Sequence, residues 1–232
     1  MTSWRRHLFY TRQCVKTTWK LRLGIVVVAA LTLTSTSRIW TSAIARSLVC
    51  AQDVAPSDLI LIENFDPNYL LFERAAALQK DRIAPRALVP VQAWPPDSGI
   101  PNYISQAIAE VMARHARMAA WEMLPISEVE PISVNAAFQI RHYLLRENVK
   151  SLIVVTSGFR SQRSSLIYRT VLAGRGIQVR CDPVFGRATP ERWGDTWHGI
   201  QSVAEEFVKL QYYRFYVLLS MQPARESRRG LE

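Results

Sequence analysis

From Asp58 onward, short apolar runs alternate with stretches in which apolar residues recur every three or four positions. "DLILIENFD" opens with a run too short for a helix and rich in isoleucine, the pattern of a strand buried on both faces of a parallel sheet. "NYLLFERAAALQKD" then sets Leu71, Ala75 and Leu78 on one helical face. "RALVPV" (86–91) reads as a second strand, and "QAWPPDSGIP" (92–101), with three prolines and a glycine, as a loop. The next helix, "NYISQAIAEVMARHARMAA", is predicted to turn Ile104, Ile108, Val111 and Met112 inward. "WEMLPISEVEP" (121–131) predicts a short strand and a second loop. "SVNAAFQIRHYLLREN" starts at Ser133, a predicted N-cap, and runs amphipathically to Asn148. "SLIVV" (151–155) is the clearest strand, and "SQRSSLIYRTVLAGRG" follows as a helix ended by Gly174 or Gly176. "IQVRCDPV" is the last strand, and Trp193 to about Leu219 forms a long helix with Trp197, Ile200, Ala204, Phe207 and Val208 on one side. Strands alternating with helices of this length imply right-handed crossovers. The predicted class is therefore α/β: a three-layer, Rossmann-like domain with a mostly parallel sheet.

The N-terminus has a different pattern. "LGIVVVAALTLTSTS" (23–37) is uncharged, but its fifteen residues fall short of the ~20 that span a bilayer. From Trp19 to about Trp40 the segment is long enough, with Arg22 and Arg38 snorkelling and the tryptophans at the interfaces. The expected organisation is a basic cytoplasmic segment (1–22), a membrane anchor with a juxtamembrane helix (23–49), the α/β domain (50–221) and a disordered tail (222–232). A cleaved signal peptide ending near "AIA" (43–45) and a soluble core helix are the alternatives. Lipoprotein processing at Cys50 is rejected because Val49 is not small. Six basic residues precede the apolar stretch, so the N-terminus is expected in the cytoplasm and the domain across the inner membrane, in the periplasm. Membrane lipid, met by the N-terminal helix, is the first expected partner.

Composition changes this picture little. Of the 232 residues, 49% are hydrophobic and 21% charged, as in a folded chain. The net charge of +10 would suit nucleic acid, but much of the excess sits at the termini and no basic-aromatic recognition motif is present, so nucleic acid is not an expected partner. Cys14 would lie on the cytoplasmic side, whereas Cys50 and Cys181 would share an oxidising compartment. A disulfide between those two is one option, and two buried thiols are the default. The four histidines are scattered and no CxxC occurs, so no metal site is expected.

Ligands of open α/β sheets bind beyond the carboxyl ends of the strands. That rule selects "ENFDPN" (63–68), "VQAWPPD" (91–97), "TSGFRSQRS" (156–164) and "CDPVFGRATPERW" (181–193). In "TSGFRSQRS", Thr156 and Ser157 leave the strand, Gly158 permits a tight turn and Ser161 is a predicted helix cap. The helix N–H groups with Arg160 and Arg163 would favour a phosphate or carboxylate. The alternative is that Ser161 only caps and each arginine pairs with an acid such as Glu63 or Asp66. Glu63, Asn64 and Asp66 are readable as acid/base groups, metal ligands, arginine partners or a solvated loop. No glycine-rich nucleotide cradle and no nucleophile elbow is present, and the cofactor is left open.

The order of these motifs resembles the YdcF/SanA/ElyC-like family of bacterial envelope proteins. "SDLILIENF" stands for its Asp-initiated strand, "LLFERAAAL" with Arg74 for its arginine helix, and the region of Glu110 for its glutamate helix. "SVNAAFQ" keeps Ser133 and Asn135 of the family's helix start but has Ala136, Phe138 and Gln139 at its Thr, Glu and Asn. "VTSGFRSQRS" keeps Thr156, Ser157 and Arg163 but has Arg160 at the usual histidine. Trp193, Trp197, Glu205 or Glu206, and Lys209 resemble the closing segment, and "ENF" and "VQAW" replace glycine-rich turns. The resemblance covers roughly residues 20–215 and implies an envelope domain tied to peptidoglycan or surface-polysaccharide metabolism. The departures remove the best general acid/base candidates. The resulting expectation is a membrane-anchored domain that binds a phosphate-bearing envelope precursor. Arg160 and Arg163 would hold the anion, with Asn64, Ser133, Asn135, Thr156 and Ser157 as polar partners and Glu63 as the candidate base. The alternative is a non-catalytic envelope interaction protein with a degenerate pocket.

Overall fold

The computed structural model describes residues 18–96 and 98–220 and divides after Thr41 into two units. The predicted cytoplasmic segment, apart from residues 18–22, and the whole of the predicted tail therefore lie outside the described residues.

In the first unit, α1 (Trp19–Ser35) buries no side chain. Its 17 residues rise about 25 Å, short of the ~30 Å hydrocarbon core. No described helix is long and apolar enough to cross a membrane by itself; α1 and the following α2 (Ser37–Ser47) pass only as a broken pair, by length and composition. The break falls at Thr36, in a stretch where hydroxyls turn back onto the helix: Thr32 donates to the Val28 carbonyl at 2.8 Å and Thr36 to that of Thr32 at 2.7 Å. Such back-bonding bends helices.

In the second unit, strands β1 (Leu59–Ile62), β2 (Ala87–Gln92), β3 (Trp121–Ile126), β4 (Ser151–Ser157) and β5 (Gln178–Val184) form one sheet in the order β3-β2-β1-β4-β5, every pairing parallel. The α/β class and the parallel sheet are as the alternating pattern predicts. Side chains alternate as a pleat requires. Leu59, Leu61, Leu152 and Val154 face α5 (Ile132–Arg146) and α6 (Ser161–Val171), whereas Ile60, Ile62, Ile153 and Val155 face α3 (Tyr69–Lys80) and α4 (Tyr103–His115). A third, smaller cluster joins Ala45 and Leu48 to Phe159 and to Val203 and Leu210 of α7 (Trp197–Tyr212). The chain leaving α2 is thus fixed against the domain.

Several local expectations are corrected. Ser133 does not cap α5: the helix starts one residue earlier, after Pro131, and Ser133 sits buried in its first turn. On α4 the buried residues are Ala109 and Ala113, with Met112 packed beside them, while Ile104 and Val111 are exposed; small residues let the helix approach the sheet. The side of α7 carrying Trp197, Phe207 and Val208 faces outward, and Val203 and Leu210 turn in. Gly199 is required there, because a Cβ would stand 2.1 Å from the Trp193 carbonyl oxygen. Finally, Cys50 and Cys181 are not two separate thiols but a disulfide, with Cα atoms 6.5 Å apart and a sequence separation of 131.

Candidate functional site

The strand order reverses between β1 and β4, so the loops after these two strands flank the switch point where ligands of such sheets bind. The register pairs Ile62 with Val155, and the Glu63 N–H continues the ladder to the Val155 carbonyl at 3.0 Å. Glu63 is therefore delivered beside Thr156. Both continue the side of the sheet on which α6 packs, and Ser164 meets them from that helix. Thr156 and Ser164 each donate a hydroxyl to Glu63 Oε2 at 2.5 Å. Arg160 Nε lies 3.6 Å from the same oxygen.

The two arginines of the loop have different surroundings. Arg163, with 3% of its side chain exposed, is fully engaged. Its Nε and Nη2 donate to the two oxygens of Glu206 at 2.9 and 3.0 Å, and its Nη1 donates to Ser133 at 3.0 Å. Its guanidinium also stands 5.3 Å from the Tyr213 ring centre. Arg160 donates to Asp66 at 2.7 Å, but the Asp66 side chain is 91% exposed, and Arg160 Nε has no hydrogen-bond partner among the described residues. Burial works against the Arg160 charge, yet the carboxylates of Glu63, Glu206 and Asp66 outweigh it and hold the guanidinium above its ordinary value. Tyr168, fully buried nearby, has its phenol pushed well above the usual range by burial and by the Glu63 carboxylate, so it stays a neutral O–H. That hydroxyl and Asn64 Oδ1 also have no partner among the described residues.

Ser161 is not a simple helix cap, contrary to expectation. A short 3₁₀ turn, Gly158–Arg160, runs straight into α6, the Ser161 hydroxyl donates to the Gly158 carbonyl at 2.5 Å, and its oxygen accepts from the Cys50 N–H at 3.0 Å. Gly158 is needed for packing, since a Cβ would overlap the Phe185 ring.

Two hollows open around Arg160. One, of about 440 Å³, is lined by Glu63, Asp66, Ser157, Arg160, His198 and Glu206 among others. The second, of about 380 Å³, carries Ser133, Arg160, Arg163, Lys209 and Tyr213. Asn64 lines a separate, smaller hollow beside Gln92 and Glu128. Asn135 is not brought to the site; its side-chain amide donates to the Val129 carbonyl at 2.9 Å. Of the expected residues, the fold thus gathers Glu63, Thr156, Ser157, Arg160, Arg163 and Ser133, and leaves Asn64 and Asn135 aside. Sequence reasoning missed Ser164, Tyr168 and Glu206 as parts of the cluster. Ser161, Ser164 and Tyr168 recur at helical spacing on one face of α6, which is the signal that would have found two of them.

Across the network, four carboxylates (Glu63, Asp66, Glu205, Glu206) meet three cations (Arg160, Arg163, Lys209). The arrangement can hold a polar group against Arg160. Glu63 is its one buried carboxylate facing the cleft with a free oxygen: Oε2 is taken by two hydroxyls, while Oε1 accepts no hydrogen bond among the described residues. No cluster of metal-ligating side chains occurs among the described residues. Neither protein-family models nor the curated proteins match this chain.

Proposed function

We propose that the chain is a membrane-tethered domain of the cell envelope that binds a polar ligand bearing a phosphate or carboxylate at the β1/β4 switch point. Arg160 receives the anion, which takes the place of Asp66. The carrying observation is the state of Arg160: its side chain is 11% exposed, its Nε is unbonded, and its hydrogen-bonded acceptor is a carboxylate standing in solvent. A buried guanidinium with spare donors is a strong anion receptor. Arg163 then positions the loop and does not touch the ligand. The carboxylates round the cleft oppose a bare anion, so hydroxyl-rich groups beside the phosphate, as in a phosphorylated envelope precursor, suit the rest of the cleft. The motif order and the basic, apolar N-terminus support the envelope and the tether, with the domain on the periplasmic side of the inner membrane.

A second reading is a non-catalytic interaction domain with a closed pocket. Its support is that Glu63 Oε2 and all of Arg163 are already engaged within the protein. Calorimetric titration of the full-length protein in neutral detergent with pyrophosphate and with a nucleotide-linked sugar separates the two. The first reading expects binding that Arg160→Gln weakens by about ten- to a hundredfold. Unchanged binding in that variant removes Arg160 from the role, and no binding at all leaves the interaction domain.

A further inference from the structure

A large hollow lies away from the strand ends. Between α5 and α6 is a groove of about 820 Å³ lined by Arg141, Arg169 and Arg175, with no acid in its lining. None of the three forms an ion pair with a carboxylate among the described residues. Arg141 stacks over the Phe138 ring at 4.7 Å, Arg169 stands on α6, and Arg175 follows in the turn between Gly174 and Gly176. The face of α6 involved carries Gln162, Ser165 and Leu166 at the spacing that leads to Arg169. The absence of acid is built into the sequence: residues 148–181 contain six basic residues and no Asp or Glu, and residues 132–146 contain no acid either. Three cations held together without a counter-ion repel one another, so the groove is a pre-formed region of positive potential.

Its floor is not polar throughout. Phe138, Leu166 and Val171 line it between the arginines, so it matches a ligand with a charged head and an apolar body. Its position is set by the chain itself. Cys50 and Ala51 form part of the wall, and Cys50 is held there by the disulfide to Cys181 and by its N–H bond to Ser161. Residues 42–47 are helical, so Ser42 lies within roughly 20 Å of Cys50 along the chain. The groove therefore stands close to where the N-terminal segment enters the domain.

We infer that this groove binds the phosphate of an anionic phospholipid at the surface of the membrane that holds the chain. The inference rests on the tether proposed above but uses none of the strand-end residues. The arginines take the phosphate and the apolar floor takes the glycerol and the first carbons of the acyl chains. Juxtamembrane cations each add about fivefold to such binding.

The test is native mass spectrometry of the full-length protein from neutral detergent with phosphatidylglycerol, phosphatidylcholine or inorganic phosphate added. Retention of phosphatidylglycerol over phosphatidylcholine is expected, falling about a hundredfold in Arg141→Gln/Arg169→Gln/Arg175→Gln and unchanged in Arg114→Gln. A triple variant that retains the lipid as the parent does, equal retention of phosphatidylcholine, or inorganic phosphate competing as well as the lipid would each overturn the inference. Should the triple variant lose its fold, Arg169→Glu alone, which adds repulsion at an exposed position, is expected to reduce retention at least tenfold, and parental retention by it overturns the inference equally. Alkaline carbonate extraction reads the tether independently: release of the chain counts against the tether, whereas lost lipid selectivity counts against the groove.

Discussion

Helix α6 carries arginines on two sides, and they have opposite fates. Arg163 points inward, is almost wholly buried, and has its donors taken by Glu206 and Ser133. Arg169, about two-thirds of a turn round the axis, stands exposed in the groove with Arg141 and Arg175 and meets no carboxylate. The first environment is expensive to build and strongly coupled to the fold, because a buried charge must be matched by a partner or its desolvation is uncompensated. The second is loosely coupled to the fold and free to act on something outside it. Burial alone would have nominated Arg163 as the functional residue; the lack of a carboxylate partner nominates Arg169, and at the strand ends the unbonded Nε nominates Arg160.

The sharpest way to break this comparison is to truncate one arginine from each side. Arg163→Ala leaves Glu206 without its bidentate partner and is expected to cost about 3–5 kcal/mol in urea unfolding. Arg169→Gln removes no contact within the domain and should stay within about 0.5 kcal/mol of the parent. Comparable losses in the two variants would mean that the groove arginines serve the fold after all. The neighbouring serines offer a finer version. Ser164→Ala deletes a hydroxyl bonded to the buried Glu63 carboxylate and should cost about 1.5–3 kcal/mol, the range for hydrogen bonds to charged groups. Ser165→Ala, on the groove side, removes a hydroxyl that bonds no carboxylate and should cost less than Ser164→Ala, no more than about 1 kcal/mol.

The sequence announces the backbone of this arrangement more clearly than its partners. Runs such as "LILI" and "SLIVV" could only be central strands, and once they alternate with helices the switch point follows, with Glu63 and Thr156 beside it. What pairs with Arg163 is not local information: Glu206 lies 43 residues on, on a helix whose hydrophobic pattern points its aromatic side outward. The inward residues of α4 were illegible for a related reason. Periodicity ranks Ile104 above Ala109, but close helix-sheet contact favours the smaller side chain. The disulfide depended on two Cα atoms meeting across 131 residues, which spacing cannot report. The acid-free window from 148 to 181, by contrast, was present in the sequence, and its meaning emerged only when α5 and α6 brought Arg141, Arg169 and Arg175 to one groove.

If partners rather than burial decide how tightly a charge is coupled to folding, an exposed but fully partnered group should show it. Asp58 is that case. It stands in solvent at the start of β1, and its Oδ2 accepts from the backbone N–H groups of Lys150 and Ser151, both at 2.8 Å. Those bonds, led by the one from Lys150, hold its carboxyl below the usual value despite an opposing contribution from partial burial. A folded pKa below the unfolded one gives a contribution that is fully present above the unfolded value of about 3.9 and is lost as pH falls through the folded one. Asp58→Asn should therefore be less stable than the parent at neutral pH by an amount in the range of exposed charge interactions, about 0.2–1 kcal/mol. The gap should close as the parent is taken below pH 4. Urea unfolding of both proteins at a series of pH values measures it. A gap that stays constant down to the lowest pH would show that the Asp58 bonds do not depend on its charge, and would return burial, rather than partnership, as the variable that matters.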